Sequence, residues 1–300
     1  MITVAIHRIV SGGYMDKEFK RKLKFNIVSM LIVWIGSAAL LYPFIADYQA
    51  QLVMNIAVSK LDDTVQHTTS QALLKARKAA QEYDDNLFGI PLHDPFSQDA
   101  GYVIPKNYNS VLNLNGDGVM AQLLIPEIDV NLPIYHGISE QSLANGVGHV
   151  EYTSTPYGGK NRHSFLAAHR GLPNRVLFTD LNKLHKGSMF YIKVLGETHA
   201  YKVNNIQVVK PEDFVATRPE SGKDLVTLVT CTPYGVNSHR LLVTGQRVAF
   251  KQKELQSLQQ DYKLTGMRLV YVLMIVLSVI LFILSIVRFV RFLRQGKQQI

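Results

Sequence analysis

Two long runs of uncharged, mostly apolar residues lie near the two ends of the chain. Residues 25–46 form a run of 22 positions without a charge, and residues 269–287 form a run of 19. A helix needs about 20 consecutive apolar residues to cross a bilayer. The pattern therefore predicts two transmembrane helices. The sequence contains no third run of this kind, which argues against a transporter with many spans.

The segment after the first run has the pattern of a helix. Residues 47–87 contain no proline or glycine, and apolar residues recur at steps of roughly three and four, the helical period. These positions are Leu61, Val65, Ala72, Leu73, Ala76 and Ala80. We expect a helix that packs on the flank of a domain or serves as a spacer.

A long irregular loop is predicted for residues 86–106. Its glycines and prolines are Gly89, Pro91, Pro95, Gly101 and Pro105, and both residue types interrupt regular structure. Loops of this length are uncommon in compact domains and often act as lids or binding loops. We expect a functional role for it.

Short runs rich in β-branched and aromatic residues follow one another between residues 109 and 250. The runs are 119–125, 128–135, 163–168, 189–195, 199–209, 225–230 and 241–250. Turn-forming residues separate them, including Asn115-Gly116-Asp117-Gly118 and Gly158-Gly159. Short strands at this spacing predict an all-β barrel or sandwich. Helical connections are expected only at 139–144 and 176–183, and residues 251–266 are expected to form a polar, partly helical stalk.

Composition and charge agree with a membrane-bound chain. Charged residues make up 18% of the sequence, against roughly 25% in soluble domains, so a wholly soluble or disordered protein is disfavoured. The tails 1–24 and 288–300 each carry a net charge of +4, which leaves +1 of the total +9 for everything between them. The basic character therefore belongs to the tails, and nucleic-acid binding loses its main support.

The basic tails also predict the orientation in the membrane. Lys and Arg accumulate on the cytoplasmic side of membrane segments, so we expect both termini in the cytoplasm and residues 47–268 outside. The protein would then be a two-pass protein of the cell membrane. A cleaved signal peptide is the alternative for the first run, but its apolar stretch exceeds the 7–15 residues typical of one, which favours an uncleaved anchor.

The chain has one cysteine, Cys231, which therefore has no partner for an intramolecular disulfide. The β-branched run 225–230 ends at this residue, and a second strand resumes at Arg240. If the two strands pair, Cys231 and Arg240 face each other at the strand ends. A guanidinium beside a thiol favours the reactive thiolate, and it can stabilise an oxyanion on a carbonyl under attack. The alternatives are an inert buried thiol and a surface salt-bridge role for Arg240.

A nucleophilic thiol needs an acid–base partner, usually histidine. Of the ten histidines, His169 is weakly favoured because it follows the apolar run 165–168 and so lies at a strand end. His239 adjoins Arg240, and alternation along a strand would point the two side chains in opposite directions. His149 and His163 have no distinguishing feature.

Other chemistries lack their sequence patterns. The chain has no His-Glu-x-x-His, no second cysteine to complete a zinc site, and no Gly-x-x-x-x-Gly-Lys loop. It also has no Gly-x-Ser-x-Gly or Ser-x-x-Lys motif. We therefore expect no metal and no cofactor.

Three stretches of the sequence have a recognisable pattern: residues 227–243, TLVTCTPYGVNSHRLLV; His169-Arg170-Gly171-Leu172; and Asp94-Pro95-Phe96. Together they resemble the sortases, and more narrowly the class C, pilus-assembling sortases of Gram-positive bacteria. Residues 227–243 resemble the active-site signature of the family. His169-Arg170-Gly171-Leu172 is similar to its catalytic-histidine motif, and Asp94-Pro95-Phe96 is similar to the Asp-Pro-aromatic lid of class C. Ala167-Ala168 departs from the Thr-Gly often found before the histidine, and Phe96 stands where Trp is also found.

The resemblance implies a mainly β fold: a sortase-like closed β-barrel with short helices, preceded by an N-terminal helix and lid loop and flanked by two transmembrane helices. The implied division is a basic cytoplasmic tail (1–24), a transmembrane helix (25–46), an extracellular helix and lid loop (47–106), the catalytic barrel (107–250), a juxtamembrane stalk (251–268), a second transmembrane helix (269–287) and a basic cytoplasmic tail (288–300).

The resemblance also implies a reaction. Cys231 would attack the Thr carbonyl of a Leu-Pro-x-Thr-Gly-like sorting signal, with His169 as general acid and Arg240 steadying the oxyanion or the substrate backbone. A lysine amine of the next pilin would resolve the thioester, and the partners would be pilin subunits and the lipid bilayer. Two alternatives stay open: a membrane-anchored cysteine hydrolase, and a non-enzymatic surface module with a buried cysteine.

Overall fold

The computed structural model describes residues 17–87, 96, 107–172, 175–214, 219–250 and 266–297, and the side chains of the last segment over 272–295. Its helices are α1 (Lys17–His67), α2 (Ser70–Asp85), α3 (Glu140–Asn145) and α4 (Gly266–Lys297). Its strands are β1 (Val119–Ile125), β2 (Val130–His136), β3 (Val147–His149), β4 (Arg162–Ala167), β5 (Met189–Val194), β6 (Glu197–Val209), β7 (Asp224–Thr232) and β8 (His239–Val248). The chain forms two compact units, one of Met1–Ile45 with Leu264–Ile300 and one of Ala46–Lys263.

The first unit contains the apolar first part of α1, as far as Ile45, and the apolar helix α4. The Trp34 indole nitrogen donates to Ser285 Oγ at 3.0 Å, and the Trp34 ring lies 4.8 Å from the ring of Phe282. Among the residues that the structure describes, two helices are long and apolar enough to cross a membrane: Lys17–His67 and Val272–Gln295. The two apolar helices expected from the sequence are thus present.

The second unit is a closed barrel with the strand order β1-β2-β3-β4-β7-β8-β6-β5, closed by pairing of β1 with β5. The pairs β2–β3 and β4–β7 are parallel, and the other pairs are antiparallel. Seven of these strands lie where the sequence pattern predicts them, and the barrel is confirmed over the sandwich. The parallel pair β4–β7 has a consequence for the site, because both of its strands end at the same edge.

The barrel interior is filled by large apolar side chains. Every residue of β1 is buried, and the rings of Phe190 and Tyr201 stack at 5.3 Å. Gly245 lies against this stack, and a Cβ at that position would overlap the Phe190 ring. This close approach explains a glycine inside β8, where its lack of a side chain would otherwise weaken the strand.

The predicted flanking helix consists of two helices rather than one. A break at Thr68 and Thr69 separates α1 from α2, and the Thr69 hydroxyl caps α2 by accepting from Ala72 N at 3.3 Å. Threonine favours such caps because its oxygen satisfies an N–H that has no partner within the helix. Packing on the flank of the domain is confirmed, since Leu61 and Ala80 belong to the buried residues.

Two other predictions need correction. The sequence pattern missed β3, which is three residues long and has Gly148 at its centre. The helix expected at 176–183 is instead a series of turns that ends in a short 3-10 helix, Leu181–Lys183. Leu177 has a φ of +40°, a left-handed conformation that an α-helix does not contain. The predicted stalk 251–266 lies almost wholly outside the described residues, which resume at Gly266.

Candidate active site

Three neighbouring strands bring the predicted residues to one edge of the barrel. Strand β7 pairs in parallel with β4, with Ala167 opposite Val229, so His169, two residues further on, is level with Cys231. Strand β7 pairs on its other side with β8, where Cys231 is opposite Arg240. The strand pairing predicted for Cys231 and Arg240 is therefore confirmed. Side chains of directly opposite residues share one face of a sheet, so the thiol and the guanidinium are neighbours.

Cys231 lies next to the end of β7 and is a half-buried thiol that forms no disulfide. Thr230 before it is buried, whereas residues 233–238 after β7 form an exposed loop. This loop carries two exposed apolar side chains, Tyr234 and Val236. The thiol therefore lies at the boundary between the barrel and solvent, which does not fit the alternative of a fully buried structural cysteine.

Arg240 is buried, with 7% of its surface exposed, so it is not the surface salt-bridge residue considered as an alternative. Its Nη1 donates to Asn237 O at 3.1 Å and to His239 O at 3.2 Å. These bonds tie the guanidinium to the backbone of the loop that joins β7 and β8. A buried charge held by hydrogen bonds is pre-organised for an oxyanion, because little reorganisation is needed when charge develops.

His169 is half-buried just beyond the end of β4. Burial lowers the pKa of its imidazole, and the Glu140 carboxylate opposes this effect. Because the pKa is lowered, the neutral ring predominates at neutral pH, and this is the form that accepts a proton from a thiol or an amine. The backbone carbonyl of His169 accepts from Phe178 N at 3.1 Å.

The other histidines considered from the sequence have different surroundings. His149 is fully buried, bonded to the Tyr108 hydroxyl at 2.9 Å, and burial lowers its pKa to about 4. His163 is buried and contacts the Thr227 hydroxyl at 2.8 Å, between strands β4 and β7. His239 shares a 2.9 Å hydrogen bond with Ser238. Of these three, only His239 lies near the edge that holds Cys231. It is on β8, opposite Thr232 of β7.

The predicted lid is described only in part, since Asp94 and Pro95 lie outside the described residues. The Phe96 ring centre lies 6.1 Å from that of His169 and 5.2 Å from Arg240 Cζ. Phe96 also packs against a buried apolar cluster of Leu143, Val150, Phe165, Ala167, Phe214 and Val229. An aromatic side chain from the predicted loop is thus in contact with two of the three candidate catalytic residues.

Arg170 and Thr232, for which the sequence pattern predicts no role, also lie at this edge. Arg170 Nη1 donates to the Thr232 hydroxyl at 2.9 Å and so joins the histidine segment to the end of β7. Their positions beside His169 and Cys231 were the only available signal. Within the described residues, no group of three or more His, Cys, Asp or Glu side chains is placed to hold a metal ion.

Comparison with known proteins agrees with this fold. Residues 123–248 match the model of the sortase domain. The chain is 48% identical to sortase C-1 of Actinomyces oris, with a TM-score of 0.56, and the match covers 59% of this chain and 99% of that one. For sortase C of Streptococcus pneumoniae the identity is 38% and the TM-score 0.61, covering 65% of this chain and 98% of that one.

A more distant match is sortase A of Bacillus anthracis, 27% identical over 232 residues, or 77% of this chain and 97% of that protein. The chain therefore belongs to the sortase family, and it is a sortase-type cysteine enzyme. Its similarity to sortase C structures from Actinomyces and Streptococcus assigns it to class C, as the resemblance of its motifs predicts.

Proposed function

We propose that the protein is a membrane-anchored transpeptidase that joins pilin subunits through isopeptide bonds. The observation that carries this proposal is the arrangement of Cys231, His169 and Arg240 at the ends of the adjacent strands β7, β4 and β8. A nucleophile, a general acid–base and a buried cation at one edge are the groups that acyl transfer through a thioester requires.

In the first half-reaction, the Cys231 thiolate attacks the Thr carbonyl carbon of a Leu-Pro-x-Thr-Gly-like signal. Arg240 stabilises the oxyanion or holds the substrate backbone. The Thr–Gly C–N bond then breaks, and His169 gives its proton to the departing glycine amine. The products are a thioester on Cys231 and a free C-terminal fragment.

In the second half-reaction, a lysine amine of the next pilin attacks the thioester. His169, now neutral, takes a proton from the attacking amine, and the Cys231–acyl bond breaks to return the thiolate. The product is an amide bond between the Thr carboxyl and the lysine side chain. Pilin substrates are supported by the similarity to S. pneumoniae sortase C, whose structure is described in terms of pilin substrate specificity.

The required protonation states make this a slow enzyme. With ordinary pKa values of about 8.5 for Cys and 6.5 for His, roughly 1% of molecules near pH 7.5 would hold both thiolate and imidazolium. Burial lowers the pKa of His169 further, which reduces that fraction. Arg240 acts in the opposite direction by favouring the thiolate.

The loop with Asp94, Pro95 and Phe96 is proposed to cover the site reversibly. The contacts of Phe96 with His169 and Arg240 support a cover over these two residues. The proposed role of Asp94 is an ion pair with Arg240. Closure that must reverse for each substrate needs a free energy of only a few kcal/mol.

Membrane anchoring is proposed from the two apolar helices and the charge of the tails. The proposed boundaries are those of the sequence division, with the catalytic barrel at 107–250 outside the cell and the tails 1–24 and 288–300 inside. Tethering raises the local concentration of enzyme and membrane-held substrate for each other without any new contact.

The test is incubation of the detergent-solubilised full chain with Leu-Pro-x-Thr-Gly peptides and a lysine-containing acceptor peptide, followed by mass spectrometry. We expect an acyl-enzyme on Cys231 and an isopeptide-linked product, both absent in Cys231→Ala. A hydrolysed peptide as the sole product at high acceptor concentration would instead identify the hydrolase alternative. Absence of any acyl-enzyme across the peptide panel would contradict the proposal.

A further inference from the structure

The residues on both sides of the nucleophile are bonded to the residues on both sides of the histidine. Thr230, before Cys231, is fully buried, and its hydroxyl donates to Ala168 O at 2.7 Å. Thr232, after Cys231, accepts from Arg170 Nη1 at 2.9 Å. The two neighbours of Cys231 are therefore hydrogen-bonded to the two neighbours of His169.

These side-chain bonds extend the connection between β4 and β7 to the level of the site. Backbone pairing joins the strands as far as Ala168, whose N–H donates to Val229 O at 3.1 Å. His169 comes after this point and is outside the strand. The bond from Arg170 to Thr232 thus joins the two segments on the far side of His169, where no backbone hydrogen bond of the β4–β7 pairing does so.

Arg170 is itself fixed by two further bonds. Its Nε donates to Thr179 O at 3.0 Å, and its Nη2 donates to Asn182 Oδ1 at 2.7 Å. The planar guanidinium offers donors in a rigid fork, so three fixed acceptors define its position. Lysine, with one compact ammonium group on a flexible stem, does not reproduce this geometry.

The Tyr234 ring also links the loop after Cys231 to the segment after His169. Gly171 has a φ of +79°, and a Cβ there would lie 3.1 Å from the ring of Tyr234. The exposed loop after Cys231 thus lies against the segment after His169. Gly171 N also donates to the Thr179 hydroxyl at 3.2 Å, so the segment on which Tyr234 rests is anchored.

We propose that Arg170, acting through Thr232, is a positioning residue that sets the separation of His169 and Cys231, with the Thr230–Ala168 bond as the second support. This inference rests on the proposed roles of Cys231 and His169. A displacement of about 1 Å between reacting groups can cost about 100-fold in rate. Loss of the bond should therefore lower the rate of acyl transfer while substrate binding changes little.

The experiment compares two variants of one side chain in the full-length protein. Thr232→Val keeps the shape but removes the acceptor, whereas Thr232→Ser keeps the hydroxyl. We expect Thr232→Val to lower kcat by about 10-fold or more with KM within about twofold, and Thr232→Ser to retain most of the activity. Arg170→Lys should resemble Thr232→Val.

The matched control is Thr244→Val, which removes a hydroxyl that is hydrogen-bonded to Thr227 at 2.8 Å elsewhere in the barrel. It should leave acyl transfer unchanged. Melting temperatures of all variants establish that they fold. Equal loss in Thr232→Val and Thr232→Ser, or loss in neither, would overturn the proposal, because the hydroxyl would then not be the determining group.

A second readout requires no sorting-signal substrate. The rate of Cys231 alkylation by iodoacetamide is measured against pH, and the inflection due to His169 is identified by its loss in His169→Gln. Thr232→Val should shift or flatten that inflection, and Thr232→Ser should preserve it. If the peptide assay shows no acyl-enzyme at all, the proposed function fails, while this profile still decides whether Arg170 and Thr232 couple the two residues. Identical profiles in wild type and Thr232→Val would overturn the inference.

Discussion

The carboxyl group of Asp84 fastens the end of α2 to the barrel, and its burial makes that attachment dependent on pH. Its side chain is 1% exposed and lies 3.6 Å from Arg162 Nε. It accepts from Thr155 N at 2.7 Å and from the Thr155 hydroxyl at 3.1 Å. Burial is the largest influence and raises the pKa of Asp84 from its ordinary 3.8 to about 7, although the bonds from Thr155 and the Arg162 charge oppose it.

The direction of the effect follows from proton binding. Between the unfolded pKa of 3.8 and the folded pKa of about 7, the folded state binds more protons at Asp84 than the unfolded state does. Its contribution to stability is therefore fully present below the unfolded value and is lost as the pH rises through the folded value. At about 1.4 kcal/mol for each pKa unit, the loss is about 4 kcal/mol between acid and mildly alkaline pH.

The assay is urea unfolding of the detergent-solubilised protein at pH 5 and pH 8, followed by circular dichroism. Asp84→Asn removes the titration, so only the wild type should lose the stability that depends on this group. The free energy of unfolding of Asp84→Asn minus that of wild type should therefore rise by a few kcal/mol from pH 5 to pH 8. Asp85→Asn is the matched control, because its side chain is 67% exposed although it pairs with the same Arg162. Parallel pH dependence of wild type and Asp84→Asn would refute the reasoning. Comparison with the variant is needed because His149, whose pKa is lowered to about 4, changes stability in the opposite direction.

The remaining predictions concern the candidate site. Cys231→Ala should fold with an unchanged melting temperature and form no isopeptide product, since the chain has no other thiol; turnover above background in the purified variant would exclude the cysteine mechanism. His169→Ala should lose far more acyl-transfer activity than His239→Ala, and comparable losses in a peptide assay would mean that the general acid lies elsewhere. The double change Asp94→Ala with Phe96→Ala should speed alkylation of Cys231 by a small thiol reagent several-fold with little change in melting temperature; an unchanged rate would show that this loop does not cover the thiol.

The barrel was predictable because most of its strands carry local signals. Strand β7, with its β-branched residues 225–230, is detected by composition alone. The facing of Cys231 and Arg240 was also predictable, because a short connection between two strands implies antiparallel neighbours. Strand β3 was not, since Val147, Gly148 and His149 are held by parallel pairing with β2 and not by any local preference.

The alignment of His169 beside Cys231 could not be predicted from local sequence. It depends on the register of β4 against β7, two strands that are separated by more than fifty residues and joined by a parallel pairing. Sequence pattern placed His169 at a strand end but gave no measure of which other strand end lies beside it. The family resemblance supplied that pairing as an implication, and the barrel topology supplies its physical basis.

The segment 176–183 shows why one local prediction failed close to the site. Its apolar spacing favours a helix, but its backbone groups bond to the histidine segment: Phe178 N donates to His169 O, and Thr179 O accepts from Arg170. A continuous α-helix over 176–183 would use the Thr179 carbonyl within itself, where it would accept from the N–H four residues further on, and Arg170 would lose this acceptor. The left-handed Leu177 is the local cost of the arrangement. Conflict between local preference and tertiary bonding is expected where a segment supports function, and here the conflicting residues are the ones that hold the proposed general acid in place.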